Sequence, residues 1–125
     1  MESLLRGRPV LVLGAHPDDE LGCGATISKL IDQGYEVHHY YFSHCEQSLN
    51  DIGLPVEQLR KECDRSRAIL GIKPEHCGSY DFPVRYFPSV RQDILEELIK
   101  LRKKINPGLV FVPNSNDIHQ DHHCI

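Results

Sequence analysis

An α/β fold with a mainly parallel sheet is what this sequence predicts, and three observations carry the prediction. Two short apolar runs, "VLVL" at Val10–Leu13 and "LVFVP" at Leu109–Pro113, read as strands covered on both faces. Segments with apolar residues at helical spacing lie between the strand signals. Strands that alternate with helices imply right-handed crossovers and helices on both sides of one parallel sheet.

The elements follow in order. Val10–Leu13 ends at Gly14, and a helix over Leu21–Gly34 is signalled by Ile27, Leu30 and Ile31, with Gly34 as its stop. "YEVHHYYFS", Tyr35–Ser43, is rich in β-formers and reads as the second strand. The polar stretch Ser43–Leu54 reads as a loop. Pro55 suits the first turn of a helix running to Leu70 and closed by Gly71. Glu75–Phe82 is a weaker strand signal. Ser89–Ile105 is an amphipathic helix with Val90, Ile94, Leu95, Leu98 and Leu101 on its apolar face, and Asn106-Pro107-Gly108 ends it. "KLRKK", Lys100–Lys104, reads as its solvated last turn, where cations suit the helix dipole.

With 125 residues the chain supports one domain, residues 1–125, with a real core. A net charge of −4 argues against a nucleic-acid surface. No apolar run approaches the roughly 20 residues of a membrane span, and the N-terminus does not read as a signal peptide. Five scattered cysteines without a CxxC pair fit reduced thiols in a cytoplasmic protein better than a disulfide framework.

Two polar clusters follow the first and last strands: "AHPDDE", Ala15–Glu20, and "NSNDIHQDHH", Asn114–His123. In parallel sheets ligands bind beyond the carboxyl ends of the strands, where the strand order reverses. Topology therefore predicts that clusters about a hundred residues apart in sequence are neighbours in space. His16 and Asp19 can converge on one divalent ion, with His119, His122 or His123 as the third donor. Nitrogen and oxygen donors without a thiolate suit Zn²⁺ or a similar ion, which acidifies water and polarises a carbonyl. Asp18 is then a spare carboxylate, placed to act as general base. The competing reading is that Asp18 or Asp19 merely caps the following helix.

The residues resemble the PIG-L/LmbE-like zinc-dependent de-N-acetylases, whose A-H-P-D-D-E signature stands unchanged at Ala15–Glu20 and whose H-x-D-H signature matches His119-Gln120-Asp121-His122. The resemblance implies a Rossmann-like three-layer sandwich and removal of an acetyl group from an N-acetylglucosamine-type small molecule. It makes His16, Asp19 and His122 the zinc ligands and Asp18 the general base. His119 becomes the acid or oxyanion stabiliser, and Asp121 orients a histidine from behind. Asp81, in "SYDF", falls where the family places a substrate-side aspartate, and a turn aspartate is the plain alternative.

Two departures stand out. Leu59 occupies the position of the family's substrate-side arginine, with Arg60 one place later and about 100° around the helix. The chain also stops three residues after His122, where family members continue. The expectation is a domain lacking C-terminal elements, completed by more chain or by a neighbouring subunit. A catalytically incomplete fragment or binding module on the same scaffold is the alternative function. A dinucleotide-binding domain is a weak third reading, since "LGAHPDDELGCGA" has no G-x-G-x-x-G and its carboxylates would repel a pyrophosphate.

Of the remaining histidines, His44 opens the loop after the second strand and can contact substrate. His38 and His39 lie within that strand and read as packed structure. His76 and Cys77 have no partner at metal spacing in the sequence.

Overall fold

A computed structural model describes Leu5 and residues 7–125. Strands β1 (Val10–Gly14), β2 (Val37–Tyr41), β3 (Cys77–Ser79) and β4 (Leu109–Phe111) form one sheet in the order β3-β2-β1-β4, every pair parallel. Helices α1 (Gly24–Asp32), α2 (Glu46–Asp51), α3 (Gln58–Leu70) and α4 (Arg91–Ile105) supply the outer layers.

Alternation along β1 builds both halves of the core. Leu11 and Leu13 face one side, where Phe87 and the α4 residues Ile94, Leu101 and Ile105 cover them. Val10 and Val12 face the other, against Ile27 and Leu30 of α1 and Ile72 after α3. The predicted three-layer α/β architecture is what forms, with β1 buried at every position.

Several boundaries differ from the sequence reading. The predicted first helix begins with a 3₁₀ turn, Asp19–Cys23, before α1, and Gly34 takes the left-handed conformation (φ 86°) just beyond its end. The second strand is shorter than Tyr35–Ser43, and Ser43–Leu54 is not all loop. It contains α2, whose one buried residue, Leu49, is too little for a periodic signal. α3 begins at Gln58 rather than Pro55 and ends as expected at Gly71, with φ of 86°. β3 occupies only Cys77–Ser79, after a 3₁₀ turn at Pro74–His76. On α4, Leu95 is 47% exposed while Ile105 is buried, so the apolar face is rotated from the one predicted. β4 is an edge strand rather than a covered one, with Val110 and Val112 exposed.

Among the described residues no helix is long and apolar enough to cross a membrane. All five cysteines are free thiols, and burial pushes Cys63 up to about 12 and Cys45 up to about 11, so neither supplies a thiolate near neutrality.

Candidate active site

β1 and β4 are neighbours, so the loops that follow them meet at the carboxyl edge of the sheet. The strand order turns back between them, since β2 lies on the other side of β1. The two clusters predicted to be neighbours are in contact.

AHPDDE is shaped by hydrogen bonds within the loop. Asp19 Oδ2 accepts from the backbone N–H of Ala15 (2.6 Å) and of His16 (2.9 Å), which turns its other oxygen, Oδ1, towards the second cluster. Gly14 makes this turn possible: a Cβ there would lie 2.8 Å from that of Asp19, closer than atoms pack. The capping alternative fails for both aspartates. Asp18 precedes the 3₁₀ turn but makes no side-chain cap, and Asp19 bonds backward to the loop.

His16, 12% exposed, is held from behind. Its Nε2 lies 3.0 Å from Oδ2 of Asp121, which is fully buried. Asp121 also accepts from the backbone N–H of Arg85 (2.7 Å) and of Phe87 (3.2 Å). Arg85 reaches that position in the left-handed region, with φ of 72°, a strained conformation for a residue with a side chain. With three donors around it, the Asp121 carboxylate has its charge satisfied. The proton between His16 and Asp121 then resides on Nε2, leaving Nδ1 as a bare acceptor.

His122 is arranged in the same way. Its Nδ1 lies 2.9 Å from Asp117 Oδ2, a contact short in distance though poorly aligned as a hydrogen bond. Its Nε2 lies 3.3 Å from Asp19 Oδ1 and 3.3 Å from His16 Nδ1. Asp117 is held below its ordinary value, first by the His119 backbone N–H and then by His122. A carboxylate thus stands behind each histidine, and with each ring protonated on that side two lone pairs and a carboxylate oxygen point at one another. Such a cluster is repulsive without a cation. Its spacing also fits one, because a tetrahedral ion with ligands at about 2.0–2.1 Å separates them by about 3.3–3.4 Å. His16, Asp19 and His122 therefore fit a divalent ion.

The other expected residues are placed as follows. Asp18 is exposed and lines an open pocket of about 450 Å³ with Asp19, His122, Asp117, Asn114 and Phe111. The His119 ring stands edge-on to His16, with centroids 4.6 Å apart, and its Nδ1 accepts from the Asp121 backbone N–H. Burial, then the neighbouring His16, lowers its basicity. His44 and Asp81 come together at the ends of β2 and β3: His44 Nδ1 is 3.4 Å from Asp81 Oδ1 and its Nε2 is 3.1 Å from Ser79 Oγ. His123, the alternative third donor, is exposed and its ring contacts the carbonyl of Asp117. Arg60 lines a separate pocket with Tyr41, Asp64 and Ser79, away from His122.

Sequence reasoning missed Asp117 as the carboxylate behind His122. Its place five residues before His122 was the available signal, within a cluster read only as polar. The Arg85 and Phe87 N–H groups carried no signal, because backbone donors are invisible in residue identity. Glu20, left without a role, is fully buried beside His39 and Cys63. Burial raises its pKa, and burial likewise lowers that of His39 to about 3 while Arg67 Nε donates to His39 Nδ1 at 2.9 Å. This buried group braces AHPDDE against β2 and α3.

Asp121→Ala would strip the partners from two backbone N–H groups and from His16. At about 1–3 kcal/mol for each buried unsatisfied group, the three together give an expected loss of at least about 3 kcal/mol, read as a lower urea midpoint with unchanged slope.

Residues 11–125 match the family described as PIG-L: GlcNAc-PI de-N-acetylase. The chain is 31% identical over 123 residues to the diacetylchitobiose deacetylase of Thermococcus kodakarensis, covering 92% of this chain and 45% of the relative. It is 27% identical to the uncharacterized deacetylase YaiS of Escherichia coli, covering 98% of this chain and 66% of that protein. In three dimensions it is similar to the N,N'-diacetylchitobiose deacetylase of Pyrococcus horikoshii, with a TM-score of 0.77, 30% identity, and coverage of 94% of this chain and 46% of that one. The chain thus spans about half the length of the diacetylchitobiose deacetylases it matches. With both signatures joined at one sheet edge and nearly the whole chain matched, this protein belongs to the PIG-L family of de-N-acetylases.

Proposed function

We propose that this chain carries the metal-dependent half of an N-deacetylase site that removes the acetyl group from an N-acetylglucosamine-type sugar derivative. The supporting observation is the convergence of His16 Nδ1, Asp19 Oδ1 and His122 Nε2, two of its three edges measuring 3.3 Å. Those three residues would hold the ion, with Zn²⁺ favoured by the two imidazoles and one carboxylate. When bound, the ion supplies Lewis acidity towards an amide carbonyl and an acidified water.

The chain's own residues do the rest. Asp18, free on the pocket wall, takes a proton from the attacking water. His119, packed against both His16 and His122, donates to the carbonyl oxygen as negative charge builds, or to the departing nitrogen. Asp121 and Asp117 keep His16 and His122 in the ligating tautomer. His44 and Asp81 contact the sugar. The carbon–nitrogen bond breaks, hydroxyl adds to the acyl carbon, a proton passes to nitrogen, and acetate and a free amine leave. The diacetylchitobiose deacetylases among the relatives support an amino-sugar amide as the substrate class.

The test is acetate release from a panel of N-acetylglucosamine derivatives, with and without added zinc. Zinc-dependent release from at least one glycoside is expected. Metal uptake with no release from any of them would leave a binding scaffold in place of the enzyme.

A further inference from the structure

At the opposite end of β2 from the site just described, the sheet register brings His76 beside Glu36 and His38, from which the sequence keeps it apart. His39 pairs with Cys77 across β2 and β3, so the preceding residues, His38 and His76, are neighbours. Glu36 stands two residues before His38, on the same side of the chain. The His38 and His76 rings lie 4.3 Å apart, tilted by 31°, and His38 Nε2 is 2.6 Å from Glu36 Oε1. One donor atom from each of the three lies within 4.8 Å of the other two.

The protonation pattern explains what this cluster lacks. A contact that short to a carboxylate places the proton on His38 Nε2, so Nδ1 of the neutral ring is a bare lone pair. That atom is buried and has no hydrogen-bond partner. The adjacent His76 ring makes no hydrogen bond to it, and protonating both rings would press like charges together. A cation shared between them satisfies the buried lone pair. Behind His38, Glu36 repeats the relation of Asp121 to His16.

We propose that His38 and His76, with Glu36 hydrogen-bonded behind His38, form a second divalent-metal site, separate from the catalytic one. Two imidazoles select a zinc-, nickel- or copper-type ion over magnesium or calcium. The site lies about 16 Å from the catalytic edge, the length of the five-residue β2 at about 3.3 Å per residue. Rotation of His76 brings its free nitrogen and His38 Nδ1 to ligand distances of about 2.1 Å from one ion. An ion there ties the start of edge strand β3 to β2. Lys73 lines the same pocket as Glu36 and His76, and its charge opposes a bound cation, so the site is weaker than its catalytic counterpart.

Equilibrium dialysis against Zn²⁺ and Ni²⁺ tests this. The intact chain should take up two equivalents, and Asp19→Ala should retain one. His76→Ala should lose the weaker equivalent and leave amide hydrolysis unchanged, while Lys73→Ala should bind that equivalent more tightly. His38→Gln should match His76→Ala, with circular dichroism confirming that both are folded. The proposal is overturned if Asp19→Ala takes up no ion, or keeps its ion after His76→Ala and His38→Gln are added. Neither outcome depends on whether the chain hydrolyses amides, so the two readings fail separately.

Discussion

Asp18→Ala should keep the catalytic metal equivalent and lose amide hydrolysis by about 10²–10⁴-fold, the range for removing a positioned general base. The geometry separates Asp18 from its neighbour. Asp19 spends one oxygen on two backbone N–H groups and aims the other at His122, whereas Asp18 lines the pocket and makes no cap. Since nothing in the loop hangs on the Asp18 side chain, its removal should leave stability within about 0.5 kcal/mol, as for exposed substitutions free of special contacts. A fall in kcat with the metal retained is the expected signature. Loss of metal together with activity would make Asp18 a ligand instead.

His122→Ala and Asp19→Ala should each lose one equivalent of bound zinc and, with it, all measurable hydrolysis. Removing either leaves two donors, too few for the three-residue ligand set of a catalytic zinc. The two differ in stability. Asp19→Ala also frees the N–H groups of Ala15 and His16, at about 1–3 kcal/mol for each that stays dry. His122 sits in the last 3₁₀ turn, and its loss relieves the crowding of two lone pairs. The metal-free His122→Ala chain should therefore be at least as stable to urea as the metal-free wild type, while Asp19→Ala should be less stable.

The layers of the fold were legible because they rest on apolar periodicity, which residue identity carries directly. Val10–Gly14, the α4 repeat and the Gly71 stop all formed near their expected positions. What failed to show was short or set by surroundings. α2 buries only Leu49, and the exposure of β4 depends on what lies beside it rather than on its own residues.

Of the site, residue types and strand order brought His16 and Asp19 up to the cluster holding His119, His122 and His123, and only the family resemblance singled out His122. The supporting shell was less visible. Asp121 could be anticipated from its motif. Asp117 could not be told from a loop aspartate, and the Arg85 and Phe87 donors are backbone groups on a strained turn. His38 and His76 show the same limit in reverse. They lack metal spacing in sequence because a parallel register, not a local turn, joins them.

The central claim is that AHPDDE and the loop after β4 make one metal site that serves amide hydrolysis. It is tested most directly by measuring bound zinc and acetate release on the same samples of three chains. Each carries His76→Ala to remove the second ion: one otherwise unaltered, one with Asp18→Ala and one with His122→Ala. Zinc with activity is expected in the first, zinc without activity in the second, and neither in the third. Zinc and acetate release both surviving His122→Ala would contradict it.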